Sequence, residues 1–167
     1  GAHQEQFPSK GWHVDDGTLV VESAAGDESG NGGDIVTLEE FQDFELVIDF
    51  MITEGANSGI KYYVTEEYAT EGSAIGLEYQ ILDDENHPDA EMGIPGTRTV
   101  ASLYDLIKAD ALEYGQDNNP KRFNGIGRWN RARIEVKGNR VSHHLNGIKV
   151  VEYERGTQQW RALVNYS

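Results

Sequence analysis

The chain has 167 residues, 38% of them hydrophobic and 10% aromatic, enough for one domain with a single sizeable core. Its 29 acids outweigh 14 Lys and Arg for a net charge of −15, so the sequence offers no basic face for nucleic acid or an anionic membrane, whereas neutral ligands, cationic ligands and metal ions are accommodated. No apolar run approaches the roughly 20 residues of a membrane span, and the zero cysteine count excludes disulfides and thiol catalysis while leaving the compartment open.

Residues 18–22 (TLVVE) form a short β-rich run entered through the turn pair Asp16-Gly17. Residues 26–33 (GDESGNGG) read as a flexible loop, and residues 35–37 resume an extended path. Residues 44–53 (FELVIDFMIT) alternate, with Phe44, Leu46, Ile48 and Phe50 on one face. Residues 58–64 (SGIKYYV) make a further strand, in which Tyr62 and Tyr63 point to opposite faces. Residues 78–82 follow as an alternating strand, with Leu77, Tyr79 and Ile81 toward one face and Glu78 and Gln80 toward the other. The chain then enters a loop crowded with Asp83, Asp84, Glu85, His87, Asp89 and Glu91, and recovers at Arg98 before Tyr104. A strand that sets a carboxylate beside an amide and feeds a loop of acids and one imidazole suits a small polar ligand, which points to carbohydrate.

Three strands then form a meander over residues 130–137, 140–145 and 148–154. Gly138-Asn139 joins the first two. Asn146-Gly147 joins the others as a two-residue hairpin turn that needs positive φ at both positions. His143 and His144 are adjacent, so they face opposite sides, one of them toward a groove. Residues 157–164 resemble a helical turn that Thr157 can cap. Many short strands with Gly-rich turns predict an all-β fold, a β-sandwich or jelly roll, as a single domain over residues 1–167. A sandwich normally finishes on a strand that closes a sheet edge, so further carboxy-terminal strands are expected, and an open edge leaves room for pairing with another chain.

Five segments, in this order and spacing, resemble the 3-keto-disaccharide hydrolase domain family, a group of glycosyl hydrolase-like domains. They are Asn57-Ser58-Gly59-Ile60, Glu78-Tyr79-Gln80-Ile81-Leu82-Asp83, Ser102-Leu103-Tyr104-Asp105, Gly127-Arg128-Trp129-Asn130 and His144-Leu145-Asn146-Gly147. The likeness runs from about Gly11 onward. It implies a concanavalin A-like jelly roll of two antiparallel sheets with a ligand groove on the concave one. It also implies export to the periplasm or cell surface in Bacteroidetes and related bacteria. Two features depart from the family pattern. The family continues past the Trp160 segment with a glycine-rich piece and a closing strand, and it usually has Glu where Arg128 stands.

The resemblance implies substrates whose 3-hydroxyl has been oxidised to a ketone. A carbonyl at C3 acidifies the hydrogen at C2; a base removes it, and the enolate expels the aglycone from C1. Later addition of water decides between hydrolase and lyase. Such a site needs a base, an enolate stabiliser and an acid for the leaving group. Glu78 or His87 would serve as the base, Arg98 or a divalent metal ion as the stabiliser, and Tyr104 as proton donor or orienting hydroxyl. Gln80 would hold sugar hydroxyls, with Asp83, Tyr62 and His144 as further substrate contacts; among the two adjacent histidines the resemblance favours His144 for the groove. Each of these residues also has a plain structural reading. Most of the loop acids read as solvated charge without EF-hand spacing, and Trp129 reads as core before sugar platform. A conventional retaining glycosidase needs two carboxylates on one face. Here Gln80 takes the place of the middle acid of a jelly-roll glucanase, and Asp83 falls five residues after Glu78, so that pairing is not encoded locally. The alternatives to 3-keto-glycoside cleavage are therefore a non-catalytic carbohydrate-binding module of the same fold and a conventional glycoside hydrolase.

Overall fold

A computed structural model of the chain describes residues 7–24, 31–70, 73–110, 112 and 122–165. Its strands, in chain order, are β1 (Trp12–Asp15), β2 (Thr18–Val21), β3 (Phe44–Phe50), β4 (Asn57–Thr70), β5 (Ser73–Leu82), β6 (Asn130–Lys137), β7 (Arg140–Leu145) and β8 (Ile148–Glu154), followed by helix α1 (Gln158–Val164). The fold is all-β, with antiparallel sheets and this short helix, as predicted. Its residues gather into two compact units, Gly1–Glu40 with Tyr63–Gly76, and Phe41–Tyr62 with Leu77–Ser167.

In the first unit β1 and β2 form a hairpin in register from Trp12↔Val21 to Asp15↔Thr18. Asp16 and Gly17 turn it with φ of 44° and 74°, the mirror-type geometry that an Asp-Gly pair favours. The sequence reading anticipated only β2. The indole N–H of Trp12 donates to the Gly33 carbonyl at 2.9 Å. The extension expected at residues 35–37 forms no strand: Ile35 and Val36 are exposed, and the backbone there joins no ladder among the described residues. Most of the loop expected at residues 26–33 lies outside the described residues.

In the second unit four strands pair in the order β3-β6-β7-β8. The meander follows the expected bounds, and the β7–β8 turn has φ of 48° at Asn146 and 84° at Gly147. Alternation in β6 sends Asn130, Ala132, Ile134 and Val136 inward and leaves Arg131, Arg133 and Glu135 on the outer face. The stretch from Asn57 to Tyr62 of β4 and from Leu77 to Leu82 of β5 packs over this sheet. Tyr79 meets His143 with ring centroids 4.8 Å apart and donates its hydroxyl to the His144 carbonyl at 3.1 Å. The unit is thus a two-layer sandwich. Tyr79, Leu82, Leu103, Ile134 and Leu145 have essentially no exposed surface; each such side chain contributes about 1.5–3 kcal/mol through burial.

A polar chain runs through this core. The His143 Nδ1 atom lies 3.0 Å from the Ala101 carbonyl, Nε2 lies 2.7 Å from the Tyr62 hydroxyl, and that hydroxyl lies 2.8 Å from the Tyr153 hydroxyl. A carbonyl only accepts, so Nδ1 carries the proton, Nε2 accepts from Tyr62, and Tyr62 accepts from Tyr153. Burial pushes the His143 pKa down to about 4, against the opposing pull of the Ala101 hydrogen bond, so the ring is neutral. Beyond β8, Thr157 caps α1 by accepting from the Trp160 N–H at 3.1 Å, and the Trp160 ring stacks on Tyr153 with centroids 4.9 Å apart.

Candidate active site

The face of β5 turned away from the core carries Glu78 and Gln80, because Tyr79 between them is committed inward. Tyr62 is likewise inward on β4, so Asn57, Gly59 and Lys61 share the outer face. Two contacts fix this register. The Gln80 Nε2 atom donates to Asn57 Oδ1 at 3.3 Å. The Glu78 carboxylate lies over Gly59, where a Cβ would sit 1.7 Å from Oε1 and 2.6 Å from Cδ. Gly59 needs no left-handed backbone, so what glycine supplies there is room for the acid.

Residues 101–104 run alongside β5 as a further extended piece. Ala101 N–H donates to the Gln80 carbonyl, Gln80 N–H to the Ser102 carbonyl, and Tyr104 N–H to the Glu78 carbonyl. The antiparallel bridge between Tyr79 and Leu103 sets Tyr104 opposite Glu78 and Ser102 opposite Gln80, with cross-strand Cβ atoms roughly 5 Å apart. Two non-glycine residues in the left-handed region bracket the piece, Ala101 at φ 68° and Asp105 at φ 61°. Such residues cost about 1–2 kcal/mol each and persist where other contacts over-determine them. Ala101 is held through its N–H by Gln80 and through its carbonyl by His143. Asp105 is held by its N–H to the Thr97 carbonyl and by its carboxylate to Arg98.

Arg98 joins three segments. Its Nε donates to Asp105 Oδ1 at 2.9 Å, its Nη1 to Asp89 Oδ1 at 2.7 Å, and its Cζ lies 5.1 Å from the centroid of the Tyr104 ring. Asp105 and then Asp89 raise the guanidinium's pKa above its ordinary value despite partial burial. Gly93 makes the close packing feasible, since a Cβ there would sit 2.6 Å from Asp105 Oδ1 and 2.8 Å from Arg98 Nε. The second Asp89 oxygen, Oδ2, is buried without a hydrogen bond. The Tyr104 phenol neighbours this carboxylate without being aligned on Oδ2. Burial first, and Asp89 next, push the phenol up to about 12, with Arg98 opposing.

The acidic loop is not a solvated run of charge. Asp83 is buried and accepts from the N–H of Gly55 at 2.8 Å, the side chain of Asn86 at 2.8 Å, and the N–H groups of Glu85 and Asn86. Burial alone would raise its pKa; these hydrogen bonds outweigh it and hold the carboxyl below the ordinary aspartate range. Asp84 accepts from Val100 N–H at 2.7 Å. The reading of these acids as solvated is thus corrected for Asp83, Asp84 and Asp89, because an acceptor-only side chain is what loop N–H groups need when they lack a strand partner. Glu85 and Glu91 are exposed, as expected. His87 caps the 3₁₀ turn Pro88–Glu91, its Nδ1 accepting from Asp89 N–H at 3.2 Å.

The structure therefore brings Glu78, Gln80 and Tyr104 to one face, sets Arg98 beside Tyr104, and uses Asp83 and His87 to shape the adjoining loop. Tyr62 and His144 lie elsewhere. Tyr62 points into the core. His144 lies on the outer face of the other sheet, with Nε2 3.0 Å from Glu135 Oε2 and 3.1 Å from Ser142 Oγ, and with Arg133 Nη2 3.2 Å from both ring nitrogens. Burial and the Arg133 charge lower the His144 pKa, with Glu135 opposing. Trp129 is 50% exposed, contrary to its reading as core. The inward set of β6 starts at Asn130, which leaves the preceding residue facing solvent. For a divalent ion the donor set does not fit: among the described residues no three His, Asp or Glu side chains gather as ligands. Asp83 and Asp84 are spent on backbone amides and Asp89 on Arg98. The sequence reading missed Gly59, Asp89 and Asp105 as parts of the site. Only Gly59 left a signal, a glycine inside an otherwise regular strand.

Comparison with known proteins follows from this geometry. The 3-keto-alpha-glucoside-1,2-lyase-like domain matches residues 1–165. A 3-keto-disaccharide hydrolase of Bacteroides thetaiotaomicron is 35% identical over 179 residues, covering 100% of this chain. The chain spans 58% of that relative's length. A crystal structure of a "putative glycosyl hydrolase" from Parabacteroides distasonis superimposes with a TM-score of 0.74 at 28% identity, over 94% of this chain and 67% of the other. A second structure of that description from the same organism gives 0.55 at 30% identity, over 71% and 54%.

Proposed function

The chain belongs to the 3-keto-alpha-glucoside-1,2-lyase-like domain family, and on that premise we propose that it cleaves glycosides bearing a ketone at C3, with Glu78 as base and Tyr104 as acid. The observation that carries this reading is the cross-strand pairing of Glu78 and Tyr104 on one face, with the carboxylate seated over Gly59. Glu78 takes the C2 proton. The C–H electron pair forms the enolate and then the C1=C2 double bond as the C1–O bond breaks. Tyr104 gives its proton to the departing oxygen. The products are the ring enone and the aglycone alcohol, and water added across the double bond completes hydrolysis.

The surroundings support elimination over a paired-carboxylate mechanism. The two acids nearest Tyr104, Asp89 and Asp105, are both bound to Arg98, so neither is offered as the second carboxylate of a retaining site. Arg98 itself is turned to those acids. Lys61 is the cation on the Glu78 face, two residues along β4 from Gly59, and it is the residue that the developing oxyanion would meet. The test is incubation with a 3-keto-glucoside beside the unoxidised glucoside. Cleavage of the keto sugar is expected, with Glu78→Gln slowing it by about 10³-fold while the circular dichroism spectrum is unchanged. Cleavage of the unoxidised sugar alone would overturn the reading.

A further inference from the structure

Tyr104 is a weak acid for its proposed task, and the groups packed around it address that weakness. We propose that Asp89 and Asp105 are positioning residues for Tyr104 that act through Arg98, locking the guanidinium beside the phenol ring so that ring and cation form one unit. The inference deepens the proposed reaction and rests on it. Three segments meet at Arg98: the turn that carries Asp89, the Arg98 backbone itself, and the Tyr104–Asp105 dipeptide. Each is anchored independently. Met92 N–H closes the first onto the Asp89 carbonyl, Asp105 N–H bonds Thr97, and Tyr104 N–H bonds Glu78. Asp105 adopts a left-handed backbone at φ 61°, and its carboxylate is aimed at Arg98 Nε. Gly93 leaves no side chain in the space this pair fills.

The arrangement has opposite electrostatic consequences before and after proton transfer. Before it, the Asp89 carboxylate beside the phenol, with Oδ2 lacking a hydrogen bond, favours the protonated form. During it, the Tyr104 O–H bond breaks, the proton passes to the glycosidic oxygen as C1–O breaks, and the phenolate charge forms within reach of the Arg98 cation. Solvent then reprotonates the phenolate. The charged groups around Tyr104 are Arg98, Asp89 and Asp105, with Glu78 opposite on β5.

Two readouts test the unit in the full chain. The first is the Tyr104 ionisation, followed by the ring Cζ resonance in 13C-tyrosine-labelled protein and assigned against Tyr104→Phe; the same spectra show whether each variant is folded. Asp89→Asn should lower the midpoint by about one pH unit and Arg98→Met should raise it by a similar amount. Shifts of opposite sign are not what general loosening produces, and this readout stands even if no glycoside is cleaved. The second readout is leaving-group dependence. Asp105→Asn, milder because its carboxylate is partly exposed, should slow 3-keto-glucosides with alcohol leaving groups about tenfold and nitrophenyl ones by less than about threefold. Unmoved midpoints, or equal losses for both leaving groups, would overturn the proposal. Cleavage with no sensitivity to Tyr104→Phe would instead overturn the assignment of Tyr104 as the acid.

Discussion

At position 59 a single methyl group would fall inside the van der Waals radius of the Glu78 carboxylate. Gly59→Ala therefore has to move either the strand or the acid. The acid is the softer of the two, because it ends a flexible side chain while the strand is held in its ladder. Gly59→Ala should lower turnover of a 3-keto-glucoside by about 10²-fold, the scale associated with displacing a catalytic group by about 1 Å. Its melting temperature should stay within a few degrees of wild type. Wild-type turnover in this variant would mean that the carboxylate does not work from that seat. Reading single residues from sequence succeeded where alternation decides direction, as for Glu78, Tyr79 and Gln80 along β5. It failed where a partner distant in sequence decides the role. Whether Asp83 is solvated or bound to the Gly55 amide is invisible in a loop composition, because solvated and capping acids are the same residue type.

Elements repeat this lesson on a larger scale. The β6–β7–β8 meander was legible to the residue because local turns define it, and its Asn-Gly pair takes the positive φ that it was read to need. What the turn signal did not carry is the side-chain work of Asn146. Its Oδ1 accepts from Arg131 N–H at 2.8 Å, and its Nδ2 donates to Asn130 Oδ1 at 2.9 Å and to the Arg122 carbonyl. Two variants separate the contributions. Asn146→Gly keeps the backbone freedom and loses the hydrogen bonds, so it should cost about 2 kcal/mol. Asn146→Ala adds the left-handed penalty, so it should cost about 3 kcal/mol. Urea unfolding with unchanged m-values would check the order, and a more stable alanine variant would remove backbone strain from the account. The failures lay outside the ladders. Trp129 stands one residue before β6 begins, where alternation no longer argues for either face, and the apolar pair Ile35-Val36 reads as extended but has no ladder to join.

Across the whole molecule the buried His143 ties both layers of the second unit to the piece bearing Tyr104, and it gives stability a pH dependence of known sign. The unfolded imidazole titrates near 6.5 and the folded one at about 4. Between those values the unfolded chain binds more protons, so stability is complete above about pH 6.5 and falls as pH drops toward 4, by about 3 kcal/mol in total. The depressed carboxyls, Asp83 and Glu135, work in a lower window: their contribution is present above the ordinary carboxylate pKa and is lost as pH falls through the folded values. His143→Gln should flatten the slope between pH 6.5 and 4.5 in urea unfolding while leaving the lower window in place. An unchanged slope would show that another group controls it. The loop after β5 has a different kind of consequence. Asp83 ties the strand end, the Gly55 turn and the start of the loop to one carboxylate, and Asp84 ties the loop to Val100. Glu85, Glu91, Met92 and Ile94 between these knots point to solvent. Diversity in a randomised library can therefore be concentrated at those four positions, where new recognition can be selected without the scaffold having to be rebuilt around each variant.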